Sequence, residues 1–493
     1  MRRALLLSLP LLPLLHFACV SDDPASPPGL DASVPGLDGG TAEGGSLPDV
    51  VTPLPDTFVP DGGPSAVNVR VTHPDKTPVE NVHVIFHDKA GAVLDEKTTQ
   101  NAGVVSAFVP AGSQVTVVLG TPTQPRLVTI TDVEPGDNLL AIDTSQIENL
   151  VDSKLVAVDS VTPGAPVGTM FYEVSVGGCT STTGSFPTNI SLIARCVGAG
   201  TVPIVVRAVN DGNFTEGFAY QKNVNLLDAG VPDGAAADSG LLSVNVSGAW
   251  QDAAVGSQNV SATNAPDSGY MTMTFSELVS GVALPQTAYP DMDGGQADAS
   301  FIAHPAFADA LQSETFIVGR VGTGVSYNGV AVREGASLSG SRTHDLSQLL
   351  PKIDDAGIED GGALRPIASW TSSASLAGAD GAIVQMGWNE AIDGGYVYGT
   401  WTFVVPPTAT SVTPPVLPAA YQAYAPSATS YVYQPPVVTV VEASFIKDYS
   451  ELRQLAGSLP PSEGLINDNG TNLTPPLPAD GTVKMSAFTR NGD

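Results

Sequence analysis

Hydrophobic and polar positions alternate along much of the chain with a period of two. In "AVNVRVTH" Val67, Val69 and Val71 share a face, and in "VHVIFHD" Val82, Val84 and Phe86 do. "VVSAFVPAGSQVTVVL" supplies two more strands joined at Pro110-Ala111-Gly112. This spacing predicts a small antiparallel sandwich. Farther on, "VGTMFYEVSVGGC" alternates Met170, Tyr172, Val174 and Val176, and "VPIVVRAVNDGNFTEGFAYQKNVNL" reads as a hairpin turning at Asp211-Gly212. Asn328-Gly329 within "GVSYNGVAV" carries a type I′ hairpin signal. Asp393-Gly394-Gly395 turns "AIVQMGWNE" into "YVYGTWTFVV", where Trp401 and Phe403 share one face and Tyr396 and Tyr398 the other. One helix is expected, "DYSELRQLAG", capped by Asp448 or Ser450 and ended by Gly457. The fold class is all-β, a series of antiparallel β-sandwich domains.

The breaks in the pattern divide the chain. Residues 1–18 start with Met1-Arg2-Arg3 and continue as an apolar run too short to span a bilayer, which reads as a secretory signal peptide. Residues 19–65 are rich in Pro, Gly, Asp, Ser and Thr, and no Lys or Arg occurs from Ala4 to Val69. Such a segment buries too little apolar surface to offset its chain entropy and is expected to be a disordered acidic linker. As a coil its ends would lie roughly 40 Å apart, and as polyproline II ~140 Å. The predicted domains follow: 66–144, a β-sandwich; 145–227, a second β domain; 228–240, a linker or inserted loop; 241–405, a β-rich domain. Residues 406–436 are Pro/Tyr-rich, with prolines that exclude a helix or central strand and tyrosines that suggest contact with a folded surface. Residues 437–459 hold a strand and the short helix, and 460–493 read as a loose, polar C-terminal tail.

Composition narrows the function. Hydrophobic residues make up 42% of 493, enough for sizeable cores, while Asp and Glu outnumber Lys and Arg by 50 to 20. A net charge of −30 repels phosphate backbones, so nucleic acid is excluded as a partner.

Ala18-Cys19 after a leucine-rich run resembles the lipobox of bacterial lipoproteins, with His16 and Phe17 departing from the usual residues. The resemblance implies a diacylated Cys19, a membrane partner reached through that lipid, and residence in the cell envelope. Val20, in place of the aspartate that retains lipoproteins at the inner membrane, points to the outer membrane or cell surface. With Cys19 lipidated, Cys179 and Cys196 remain as a disulfide pair, which an envelope permits. Residues 66–144 resemble a carboxypeptidase regulatory-like domain, a transthyretin-like sandwich also grouped as a carbohydrate-binding-like fold. Pro78-Val79, Thr98-Thr99 before Gly103, and Val109-Pro110-Ala111-Gly112 carry that likeness. It implies a stalk, spacer or interaction module rather than a peptidase.

Candidate chemistry is sparse. His83 and His87 form H-x-x-x-H, but on a strand residues four apart lie ~13 Å from each other, too far for one metal, so both are expected to face solvent. Asp291, Asp293 and Asp298 in "DMDGGQAD" offer oxygen ligands for calcium, yet Ile302 stands where an EF-hand places its closing Glu, and Asp-Gly-Gly is also ordinary turn chemistry. No cofactor other than calcium is suggested. Ser341, His344 and Asp345 are close in sequence, whereas triad partners normally meet from separate elements. No familiar hydrolase motif assigns a catalytic residue. Tyr396, Tyr398 and Trp388 could contact a ligand, as aromatic rings stack on apolar sugar faces; core packing competes for the same rings. The expected function is a non-catalytic cell-envelope lipoprotein, a binding or structural module for a protein or glycan partner. The alternatives are a carbohydrate-binding protein, or a hydrolase of unfamiliar class with its site in 241–448.

Overall fold

The computed structural model describes residues 66–73, 77–143, 155–161, 166–176, 179–191, 201–210, 215–225, 241–246, 250–252, 257–265, 270–279, 282–302, 312–321, 326–335, 340–359, 365–392, 395–433, 435–455 and 480–489. Strand dominates, at 63% against 7% helical, as the alternation predicts, and no helix among the described residues is long and apolar enough to cross a membrane. The chain divides into two units. Among the described residues, those from 155 to 251 form one, and those from 66 to 143 and from 252 to 489 form the other. The signal segment, Cys19, the 20–65 linker and the 228–240 stretch lie outside the described residues.

In the second unit the chain first makes β1 (Val67–Thr72), β2 (His83–His87), β3 (Val93–Thr98), β4 (Val104–Ala107), β5 (Ser113–Thr121), β6 (Gln124–Val133) and β7 (Asn138–Ile142). β4 and β7 flank β1, antiparallel and parallel respectively, while β2, β3, β5 and β6 belong to a second sheet. The Pro110-Ala111-Gly112 turn, with Gly112 at φ 76°, carries the chain from one sheet to the other. Val67, Val69, Val71, Val84, Phe86, Val115, Val117 and Leu139 fill the space between them.

The other unit contains β8 (Leu155–Val161), β9 (Phe171–Val176), β10 (Cys179–Thr183), β11 (Thr188–Ser191), β12 (Thr201–Val209), β13 (Thr215–Asn225) and β14 (Leu241–Val246). The β12–β13 hairpin forms as its turn signal predicts, in the order β10-β9-β12-β13. β14, which sequence reading assigned to the domain starting at 241, pairs in parallel with β8 of this unit. A two-residue strand, β15 (Gln251–Asp252), ends the segment.

The rest of the second unit adds β16 (Ser257–Thr263), β17 (Tyr270–Val279), β18 (Val282–Ala288), β19 (Ala297–Ile302), β20 (Gln312–Val321), β21 (Ser326–Gly335), β22 (Gly340–Asp345), β23 (Ile353–Glu359) and β24 (Ile367–Ser372). β25 (Gly381–Ile392), β26 (Gly395–Val405), β27 (Ser411–Val412), β28 (Tyr431–Val432), β29 (Val437–Ala443), helix α1 (Tyr449–Leu455) and β30 (Thr482–Phe488) follow. One sheet runs β18-β17-β20-β21-β30-β29-β25-β26-β6-β5-β2-β3, with β28 beside β25. The 66–144 sandwich is thus continuous with the C-terminal strands: β6 pairs in parallel with β26, Thr400 opposite Arg126 and Phe403 opposite Thr129. Smaller sheets, β19-β16-β22 and β23-β24-β27, supply further cores against it.

Two local readings are corrected. Asn328-Gly329 is not a turn; both lie inside β21, opposite Gly319 and Val318. The Asn328 amide is buried, donating to Leu350 O at 2.6 Å and accepting from Ser486 Oγ at 3.1 Å. The tail 460–493 is not uniformly loose, because β30 sits between β21 and β29. The helix starts where its Asp448 cap predicts, with Glu451 N–H donating to Asp448 Oδ1, while the predicted stop at Gly457 lies outside the described residues.

Candidate functional site

The β25–β26 hairpin has two unlike faces. Its register sets Trp388 opposite Gly399, Met386 opposite Trp401 and Val384 opposite Phe403. This face is core: Trp388, Trp401 and Phe403 are at most 2% exposed. Gly399 matters here because a Cβ would meet Trp388 Cζ2 at 2.1 Å, so the indole lies flat over the bare backbone. Trp388 therefore does not join Tyr396 and Tyr398 in contacting a ligand. Pairing with Gly399 places it on the opposite side of the sheet, where burial of the indole is worth about 2–3 kcal/mol.

The other face is open at its tip. Tyr396 and Tyr398 are 60% and 57% exposed, and their ring centroids lie 6.0 Å apart. Asn389 stands between Tyr398 on β26 and Tyr431 on β28. Tyr433 follows, its N–H donating to Gly387 O at 2.9 Å. Asn389 Nδ2 donates to the Tyr433 hydroxyl at 2.8 Å, and the Tyr431 and Tyr433 rings meet edge to face at 5.7 Å. β28 is pinned from the hairpin's other side: the Glu390 carboxylate accepts from Ser427 at 2.7 Å, Thr429 at 2.6 Å and Ser430 at 3.1 Å. Those hydroxyls hold Glu390 below the usual carboxylate range. Tyr431 and Tyr433 were missed as candidates because the surrounding prolines hid a strand only two residues long.

No family model matches this chain, and no curated protein sequence does. Among solved structures, the Bacillus anthracis TIE protein is similar at 7% identity over 57% of this chain and 50% of that one, with a TM-score of 0.13. The chain thus spans about half the length of that protein. A DUF3823 family protein from Bacteroides ovatus is 11% identical over 37% of this chain and 90% of its own, TM-score 0.13. BcpA, the major pilin subunit of Bacillus cereus, is 10% identical over 57% and 99%, TM-score 0.12. At such scores these likenesses carry no argument about this chain.

The other candidates are absorbed by the fold. Asp293-Gly294-Gly295-Gln296 is a two-residue hairpin turn, with φ of 59° and 82° at the glycines and reciprocal backbone bonds between Asp293 and Gln296. Asp298 accepts from Ser261 and, at 3.0 Å, from Gln296, and among the described residues no three acidic, His or Cys side chains gather for a metal. Asp291, Asp293 and Asp298 are exposed and do not form that cluster. Ser341 and Asp345 face outward from β22 while His344 faces inward, and Asp345 Oδ1 caps Ser347 and accepts from Asn264. Strand alternation keeps these three side chains from forming a triad. Cys196 lies outside the described residues, and no disulfide is seen among the described ones.

His87 corrects the expectation of an outward imidazole, for it is wholly buried. β2 has a core on each face: Val84 and Phe86 face one, and Ile85 faces the core containing Trp370, Trp388 and Trp401. His87 Nε2 lies 3.1 Å from Thr116 Oγ1, which lies 2.9 Å from Thr129 Oγ1, which accepts from Trp401 Nε1 at 2.8 Å. His83 is half-buried, its Nδ1 2.8 Å from the Tyr421 hydroxyl, which donates to Glu96. Burial and Glu96 push that phenol up to about 12, and the contact seats the 406–436 segment on the sandwich, as its tyrosines suggested.

Burial lowers the His87 pKa from 6.5 to about 4, outweighing the Gly91 backbone and Asp88, which favour the charged form. The sign follows from linkage. Above pH 6.5 folded and unfolded chains are both neutral here; between 6.5 and 4 only the unfolded chain takes the proton, so stability falls as pH falls. The expected loss is about 3 kcal/mol, complete near pH 4. His87→Gln, which keeps an acceptor for Thr116, should flatten this part of the pH profile of urea midpoints; identical profiles for both proteins would refute the assignment.

Proposed function

We propose that this chain is a non-catalytic binding or structural module, held at the cell envelope through an acylated Cys19 with residues 20–65 as spacer. Its 66–144 sandwich acts as a scaffold, in line with the carboxypeptidase regulatory-like resemblance. The observation that supports this reading most is where the chemistry-bearing side chains go. His87 is wholly buried with its Nε2 against a Thr–Thr–Trp chain, His344 faces inward, Asp345 caps a turn and Asp298 bonds its neighbours. Tyr396 and Tyr398 remain turned to solvent on β26. Their exposure favours the carbohydrate-binding alternative over the hydrolase.

The tether is tested by fractionation of the full chain expressed in a bacterial envelope. Native protein should sediment with membranes in plain buffer, and its amino terminus should have the mass of an acylated Cys19. Cys19→Ser should appear in the soluble fraction. A native amino terminus beyond residue 19, or equal release of both proteins, refutes the tether.

A further inference from the structure

We propose that the tip of the β25–β26 hairpin and β28 form a trough for a neutral, unbranched glycan chain. This deepens the binding-module reading and rests on it. Tyr396 and Tyr398 make one wall, Tyr431 the other with the half-buried Tyr433 beside it, and Asn389 of the intervening strand forms the floor. Partners across an antiparallel ladder share a face, so the register alone puts Tyr431, Asn389 and Tyr398 in one row. The next row is Tyr433, Gly387 and Thr400, with Arg126 of β6 beyond it. The walls are two strand spacings apart, roughly 9.5 Å between backbones. Gly387 is buried, so the accessible floor is the half-buried Asn389, between Tyr398 and Tyr431.

Charge and shape choose the occupant. The protein carries −30, which disfavours a polyanion. Glu390, the acid nearest the floor in sequence, projects to the opposite face and is engaged by three hydroxyls. What the trough presents is phenol faces, phenol hydroxyls and an amide. Apolar ring faces stack on sugar C–H faces, while hydroxyl and amide groups exchange hydrogen bonds with sugar hydroxyls. Tyr396 and Tyr398 succeed one another along the strand at 6.0 Å, so that wall can meet successive sugars of a linear chain, and Tyr431 faces it from across the floor. The site is prebuilt: Asn389 orients Tyr433, and Glu390 fixes the loop that delivers β28.

The test uses the full chain in affinity electrophoresis and calorimetry with soluble β-1,4-glucan, β-1,3-glucan, xylan and mannan, and with polygalacturonate as the anionic control. At least one neutral polysaccharide should bind. Tyr398→Ala and Tyr431→Ala, on opposite walls, should each weaken it about tenfold. Both rings are exposed, so melting temperatures should not move. Binding of none of the neutral polymers, equal binding by the Tyr398→Ala/Tyr431→Ala double variant, or preference for the anionic polymer overturns the proposal. Release of new reducing ends from a bound polymer would instead refute the non-catalytic reading and leave the trough standing. The Cys19 fractionation reports on the tether alone.

Discussion

Truncation after Leu459 is expected to abolish the native fold of the unit built from residues 66–146 and 252–493. The missing piece contains β30, whose Thr482–Val332 to Phe488–Ser326 pairing on one side and Ala443–Val483 to Val438–Phe488 pairing on the other place it mid-sheet. Without it β21 and β29 each lose a ladder, and their hydrogen-bonding groups turn into raw edges. Val483, Met485 and Phe488 are buried, each stabilising by about 1.5–3 kcal/mol, and Ala487 adds a smaller share. That sum is comparable with the 5–15 kcal/mol of a whole domain. Ser486 goes too, stranding the buried Asn328 oxygen and the Ile353 N–H that donates to Ser486 at 3.2 Å. Near-UV circular dichroism and protease resistance should both collapse. A control lacking only Asn491–Asp493 keeps β30 and should melt like the full chain. A Leu459 truncation with the full chain's melting temperature would show that β30 is dispensable.

The same bond explains why two stretches were misread in sequence. Asn328-Gly329 has turn chemistry, and 460–493 has tail composition. Yet Ser486 Oγ donates to Asn328 Oδ1 across 158 residues, so each segment is a strand because the other is. No local window contains that partnership, although "TVKMSAF" does alternate Val483, Met485 and Ala487. His87 failed for a related reason. A period of two marks one buried face, and β2 has two. What was legible was local. The hairpins at 201–225 and 381–405, the Asp448 cap and the opposed faces of the 395–405 strand all depend on residues close in sequence. The solvent-facing side of Tyr396 and Tyr398 was therefore legible, while the place of Tyr431 and Tyr433 beside them needed the 42-residue separation of Asn389 and Tyr431 to be closed by the fold.

Arg453→Met is expected to destabilise this unit by about 3–5 kcal/mol, the usual cost of removing one partner from a buried ion pair. Arg453 on α1 donates through Nε to Asp137 Oδ2 at 2.6 Å and through a terminal nitrogen to Oδ1 at 3.0 Å, and both side chains are 7% exposed. Burial opposes the guanidinium charge, but the two-pronged bond outweighs it and raises the pKa. The pair matters because of where it lies. Tyr449 of α1 donates to the carbonyls of Thr131 on β6 and Val404 on β26, so the helix straddles the junction where the N-terminal sandwich joins the larger sheet. Met fills the volume of the Arg stem but leaves the Asp137 carboxylate without its guanidinium, with the Glu134 N–H at 2.8 Å as its remaining hydrogen-bond donor among the described residues. Arg453→Met/Asp137→Asn removes that stranded charge and should recover part of the loss, whereas Arg453→Lys, a point charge without the planar fork, should recover little. Urea midpoints at constant m-value give the comparison. If Arg453→Met shifts stability by less than about 1 kcal/mol, the junction is held by the β6–β26 ladder alone and α1 is not its clamp.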